Sequence, residues 1–267
     1  MNRYIDPYVG MLKIDLKDVL YYKADFLLEM VFSVGYALLM IFVWTVLFES
    51  SGQSQIGGFS LLGIYAYFFL FTAFYSMAQS NITYYIQNDV LEGNITAIMI
   101  RPVNYIMHLL LASISNALVG VFAFSLPLLL IAIFIAHMPI TAYGMAMALL
   151  VLAIGFAVFG IISFIVGTLA IFVTNVHGLR YILGILVYVV AGGTVPLSMF
   201  PKYASGFVFA LPFQNMGYLP VSIFLGTATP AAIANGLLVG VAWAIALGTF
   251  AFFWWKMVKK RITSAGG

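Results

Sequence analysis

The chain has 267 residues, 64% hydrophobic and only 7% charged, with a formal net charge of +3 and no cysteine; its mean hydropathy is +1.10. Soluble domains carry about 25% charged residues, and no soluble core could hide this much apolar surface, so the bilayer must be the solvent for most of the chain. Lack of cysteine excludes a disulfide framework and thiolate-held metal, and in a membrane protein a small basic excess reports topology, not affinity for nucleic acid.

Residues 7–24 read as an amphipathic helix. Leu12, Leu16, Val19 and Leu20 form one apolar face, while Lys13, Lys17, Asp15 and Asp18 fall mostly on the other, with Ile14 as an exception. Such a helix lies in the interface plane, and residues 1–25 have no apolar core or cleavage site of a secretory signal. Lys23 and Asp25 mark the water boundary of the first span.

A span needs about 20 apolar residues. Six segments qualify: 26–48, 59–83, 105–136, 142–172, 179–200 and 233–256. The third and fourth exceed the need and must tilt, kink or project, with Pro127 a plausible kink site. Of the eleven basic residues, all but Lys202 fall on one side of this arrangement, which places both termini in the cytoplasm. An even number of spans agrees. The chain is therefore expected to be a single domain: an interfacial helix over 1–25, a six-span bundle over 26–256 and a cytoplasmic tail over 257–267.

A polar interruption, Gln87 to Asn104, separates the second and third spans. Its middle reads as a short helix, with Val90, Leu91, Ile95 and Ile98 apolar and Asp89 and Glu92 near its start, where the helix dipole favours acids. Arg101-Pro102 stops it. It is either an element presented to a soluble partner or a surface-lying connector.

Between Pro201 and Asn235 the apolar pieces are too short to span, and Pro212, Pro220 and Gly226 break them. They read as two short helices that dip into the outer leaflet and return; an extracellular loop with an apolar cap is the alternative. Phe207, Phe209 and Phe213 would then form an outer gate against a partner chain or against lipid.

Enzymatic chemistry is not legible. His108, His137 and His177 have no His or Glu partner at ligand spacing. There is no Gly-x-Ser-x-Gly elbow or paired-carboxylate motif within a span, and no phosphate-binding GxxxxGK[ST] loop. Glu29 is the one acid inside a span. It lines the cytoplasmic entrance of a pathway, or it snorkels to the interface or pairs with Lys23 or Arg101. The aromatic cluster around Tyr67, Phe71 and Tyr75 is either interhelical packing or a pathway-lining face that grips an amphiphile. Gly155, Gly160, Gly167, Gly184 and Gly192-Gly193 permit close helix contact.

Three places together resemble the permease subunits of ABC-2-type transporters. Tyr22-Lys23-Ala24-Asp25-Phe26-Leu27 looks like the entry into span one. Leu91-Glu92-Gly93-Asn94-Ile95-Thr96 followed by Ile100-Arg101-Pro102-Val103-Asn104 is similar to the coupling element. Leu211-Pro212-Phe213 with Tyr218-Leu219-Pro220 and Leu225-Gly226 resembles the re-entrant turn.

The resemblance implies an all-α integral membrane fold: interfacial helix, six transmembrane helices, a cytoplasmic coupling helix between spans two and three, and a re-entrant pair before span six. It implies half of a transmembrane pathway in the plasma or inner membrane. The partners would be two ABC ATPase subunits, a second permease, identical or homologous, and membrane lipids, with no nucleic acid. No cofactor would be bound by this chain, ATP and Mg sitting on the ATPases. Asp89, Leu91, Glu92, Gly93, Ile95, Arg101 and Pro102 would couple to the ATPases. The resemblance implies export, and the lack of mid-span charge leans toward an amphiphilic or apolar substrate, so the expected cargo is an amphiphilic, lipid-linked or hydrophobic compound. A stand-alone secondary carrier or a membrane scaffold is the rival; a carrier should show inverted repeats and interrupted spans in both halves, whereas interruption is seen only near 201–232.

Overall fold

A computed structural model describes residues 23–95, 104–136, 141–173 and 175–265. The expected interfacial helix, Arg101, Pro102 and His137 lie outside the described residues.

The first helix, α1, runs Lys23–Ser51 and includes Glu29 in its second turn. It leads through a short loop, with an isolated bridge between Ile56 and Phe59, into α2, Leu61–Ala78, whose N-cap Ser60 accepts a hydrogen bond from the Gly63 N–H. The second span was expected to continue to residue 83. Instead Gln79 turns extended, with φ −71° and ψ 142°, and the chain restarts as a separate helix, α3, Ile82–Leu91. The polar run Gln79-Ser80-Asn81 supplies side chains that compete with helical backbone bonds.

The third expected span is helical over its whole length but not uniformly so. Tyr105–Gly120 forms α4, Val121–Ser125 is π-helical, and Leu126–Ala136 forms α5. Pro127 has no N–H and crowds the carbonyl four residues back, and widening to a π turn relieves both defects. Next come α6, Ala142–Thr168, and the one-turn α7, Ala170–Val173.

Helix α8 is Val176-capped and short, His177–Val190. The expected fifth span, 179–200, is thus cut ten residues early. Gly192 adopts φ +98°, a conformation open to glycine alone at little cost, and the Tyr67 hydroxyl fills the space where its side chain would be. Pro201 and Pro212 divide the following stretch into α9, Lys202–Ala210, and a 3-10 turn at Pro212–Met216; Gly217 then leads into α10, Tyr218–Phe224, whose first turn accommodates Pro220 instead of breaking at it. The final helix, α11, is the longest, Pro230–Ala265.

Among the described residues, four stretches are long and apolar enough to cross a membrane by themselves: Val34–Ser51, Leu61–Ala78, Ala142–Val173 and Pro230–Ile262. Tyr105–Gly120 and His177–Val190 are shorter apolar helices. No strand occurs among the described residues.

Two apolar clusters hold the bundle. The larger is built on α2 and joins it to α1, α5, α6, α8 and α10 through Trp44, Phe68, Phe74, Leu129, Val151 and Leu219. The smaller gathers Ile82, Ile86, Ile95, Tyr105, Leu109, Phe164, Val258 and Ile262. It therefore brings together α3, the start of α4, the end of α6 and the end of α11, and defines one end of the molecule.

Candidate functional site

At that end α3 is wedged among four other helices. Gly167 of α6 makes room for it: a Cβ there would stand 2.9 Å from Ile86 Cδ1 and 3.0 Å from Thr83 Cα. In the same seam the Thr83 hydroxyl donates to the Ser163 carbonyl at 2.8 Å. Toward α4, Ser80 and Ser113 share a hydrogen bond at 2.9 Å, the Asn116 amide donates to the Tyr85 hydroxyl, and the Tyr105 hydroxyl donates to Asp89 Oδ2 at 2.8 Å. Toward α8, buried Gln87 Oε1 accepts from the Val176 N–H at 3.2 Å, and the Arg180 guanidinium lies 5.6 Å above the Tyr84 ring. Tyr105 stacks on Trp255 of α11 at 5.8 Å, and Trp255 meets Phe164 edge-on at 5.4 Å.

The expected coupling helix begins earlier than its sequence suggested. Asp89 and Glu92 were placed near a helix start, but Asp89 occupies the last turn of α3 and Glu92 is its C-cap. Gly93 takes φ +71° and ends the helix in the manner of a left-handed C-terminal glycine. Asn94 and Ile95 are helical again, and the Asn94 amide donates to Glu92 Oε2 at 2.8 Å. The two apolar residues of the segment part company: Leu91 is 53% exposed and Ile95 only 8%, within the small cluster. Desolvation pushes the Asp89 carboxyl above the usual carboxylate range and Glu92 adds to the rise, while the Tyr105 hydroxyl and His108 pull the other way.

Away from that end, the 201–226 region packs against the middle of α6 and the start of α11. Asn215 is fully buried, its amide donating to the Gly236 carbonyl at 2.9 Å. Gly155 of α6 and Gly240 of α11 face it without side chains: a Cβ on Gly155 would lie 2.8 Å from the Asn215 carbonyl oxygen, and one on Gly240 2.2 Å from its side-chain nitrogen. Nothing in the sequence singled out Asn215. The signal available was a polar Gln214-Asn215 pair inside an apolar stretch. Of the three expected gate residues, Phe207 is exposed, Phe209 is half-buried against Tyr218 at 5.9 Å, and Phe213 is half-buried against the main cluster.

Tyr67, Phe71 and Tyr75 are buried inside α2's own cluster. Phe71 stacks between Tyr67 and Tyr75 at 6.0 and 5.3 Å, Tyr188 meets Phe71 and Tyr75 edge-on, and Tyr67 donates to the Gly192 carbonyl at 2.8 Å. Their geometry is that of interhelical packing. Among the glycines, Gly155 and Gly167 sit at tight contacts, Gly160 at an ordinary one, and Gly184 faces open space.

No group of three or more potential metal ligands occurs among the described residues. What the α3 end offers is mechanical: one short helix keyed by hydrogen bonds and close packing to three longer ones, α4, α6 and α8. A family model described as ABC-2 family transporter protein matches residues 34–266. No curated protein matches the chain.

Proposed function

Because the chain belongs to the ABC-2 transporter family, as a multi-pass membrane permease subunit of an ABC transporter, we propose that α3 and the residues following it couple the movement of separate ATPase subunits to the helix bundle. The observation that carries this reading is the keying of α3 to α4, α6 and α8 at once, with α11 joined through Tyr105 of α4 and the shared apolar cluster. A displacement of α3 cannot be absorbed by one neighbour, because close-packed seams are bistable and not continuously deformable. Leu91, Glu92 and Gly93 stand exposed at its tip, where a partner can reach them, with Asp89 and Ile95 anchoring the tip from below. Arg101 and Pro102 extend the contact.

Helices α6 and α11 run from this seam past Asn215, which meets α6 at its middle and α11 near its start. A shift at α3 thereby reaches the 201–226 region, where Phe207, Phe209 and Phe213 close the outer end of a pathway shared with a second permease, identical or homologous. Glu29 stands at the pathway's inner entrance, and Tyr67, Phe71 and Tyr75 act as the packed wall that must rearrange to open it. Chemistry is confined to the ATPases, which hold ATP and Mg; this chain is not itself an enzyme. The cargo is an amphiphilic, lipid-linked or hydrophobic compound moved outward across a plasma or inner membrane. Both termini face the cytoplasm, a placement supported by the gathering of Arg180 and Arg261 at the α3 end while Lys202 begins α9.

Affinity purification of the intact protein from its membrane tests the reading. ATPase subunits should co-purify, and cysteines replacing Ser54 should react with an impermeant reagent from outside while those replacing Asn94 should not. Consistent absence of an ATPase, or reaction at position 94 in intact cells, removes it.

A further inference from the structure

We infer that a groove between α6 and α11 holds one acyl chain of a membrane phospholipid. The groove has a volume of about 400 Å³, with Leu150, Ala153, Ile154 and Ala157 of α6 on one wall and Val241, Ala244 and Ile245 of α11 on the other. No polar side chain lines it. Glycines bring the two helices together at its floor and again beyond it. A Cβ on Gly240 would stand 2.7 Å from Ile154 Cγ2, and one on Gly248 would stand 3.9 Å from Ile161 Cδ1. Between those contacts Ala153, Ala157 and Ala244 are too short to fill the gap. Leu150, Val241 and Ile245, at 50%, 44% and 65% exposure, form the rim.

The position fits a lipid tail. The apolar stretches Ala142–Val173, formed by α6 and α7, and Pro230–Ile262 of α11 both end at the α3 seam. At about 1.5 Å per residue each exceeds the ~30 Å hydrocarbon core. With the core centred on them, its half remote from α3 runs from roughly 9 to 24 Å below their first residues. Leu150 and Ala157 then stand at roughly 12 and 23 Å, and Val241 and Ile245 at roughly 17 and 23 Å. A chain of a lipid in that leaflet therefore lies along the groove for most of its length. Seated there, it supplies the dispersion contacts that the two helices leave unmade.

The same geometry disfavours a transmembrane helix as the occupant. Helices associate in lipid where small residues let backbones approach closely. Here the alanines lie below the rim, and a helix about 10–12 Å across rests on Leu150, Val241 and Ile245 instead. The groove also falls far short of the roughly 20–30 residues a side that a stable protein interface uses.

The full-length protein is reconstituted in phosphatidylcholine vesicles containing a small fraction of phosphatidylcholine with a photoreactive diazirine midway along one acyl chain. After illumination, mass spectrometry locates the labelled residues. Leu238 of the same helix, 71% exposed and in the same half of the core, reports the lipid that surrounds the whole protein. Val241 and Ile245 should be labelled roughly fivefold more than Leu238, the ratio that about 1 kcal/mol of preference gives. A153L/A157L fills the groove from two exposed positions. It should bring Ile245 down to the level of Leu238 and leave Leu238 itself unchanged. The wild-type ratio decides the matter even if the variant misfolds. Equal labelling of the groove and Leu238 would mean surrounding lipid only, and weaker labelling in the groove would mean that protein covers it. An excess that survives A153L/A157L would place the chain elsewhere. Each of these three results overturns the inference.

Discussion

The tip of α3 allows docking to be separated from stability. Leu91 and Ile95 are both apolar and four residues apart, yet Leu91 is 53% exposed and Ile95 is 8% exposed among Ile82, Ile86, Tyr105 and Val258. Replacing Ile95 with Asp forfeits about 1.5–3 kcal/mol of burial and adds the cost of a carboxyl in an apolar site. The loss should total on the order of 4 kcal/mol, enough to scatter α3 from its seam. Replacing Leu91 with Asp removes no such burial; the acid at a helix C-terminus costs about 0.3–1 kcal/mol. Leu91→Lys reverses that dipole effect while removing the same apolar contact. Both Leu91 variants should therefore purify with wild-type yield and thermal stability. A central apolar contact with an ATPase is worth about 2 kcal/mol, so both should weaken ATPase association roughly thirtyfold and lower substrate-stimulated turnover. Ile95→Asp should instead reduce the yield of folded permease. Binding and ATPase stimulation within twofold of wild type in both Leu91→Asp and Leu91→Lys would refute a docking role for this tip.

Gly155→Ala pushes a Cβ to 2.8 Å from the Asn215 backbone carbonyl; overpacking of about 1–3 kcal/mol outweighs the ~1 kcal/mol helix gain, so its melting temperature in detergent should fall, whereas Gly184→Ala, facing open space, should match or exceed wild type. Similar melting for the two variants would refute the close contact. Because the Asp89 carboxyl is raised by desolvation, the folded state holds its proton to higher pH than the unfolded state. Stability should thus decline as pH rises from the ordinary carboxylate range through the raised value. Asp89→Asn, which still accepts from Tyr105, should flatten that slope in thermal unfolding across acidic pH; an unchanged slope would show that other groups produce it. At the opposite end, cysteine at Phe207 should label with a water-soluble reagent or be shielded by lipid alone, but cysteine at Val208, 4% exposed, should label at least tenfold more slowly. Phe209→Ala with Phe213→Ala should preserve assembly while altering export per ATP hydrolysed, and coupled export at the wild-type ratio would count against a gate.

The amino-acid sequence alone determined that this chain lives in a bilayer, because 7% charge and 64% apolar residues leave no other solvent for its surface. It also determined that helices fail at Pro201 and Pro212, and Pro127 predicted a distortion that takes the form of a π turn; Pro220, expected to break the region too, instead sits in the first turn of α10, where no N–H is needed. What it could not determine was which apolar residue faces which neighbour. In water, hydrophobicity marks the inside of a helix; in lipid, inside and outside are equally apolar, and packing alone tells them apart. On the polar connector the obstacle was different: Leu91 and Ile95 have similar chemistry, and only the left-handed turn at Gly93 between them leaves one exposed and the other buried. Tyr67, Phe71 and Tyr75 could be read as wall or as packing until Tyr188 and Gly192 were seen closing over them. The break at Gln79–Asn81, the seating of α3 in the groove opened by Gly167, and the enclosure of Asn215 by Gly155, Gly236 and Gly240 were decided by contacts between helices far apart in the chain, because close packing depends on the shape of both partners and a single sequence segment specifies only one of them.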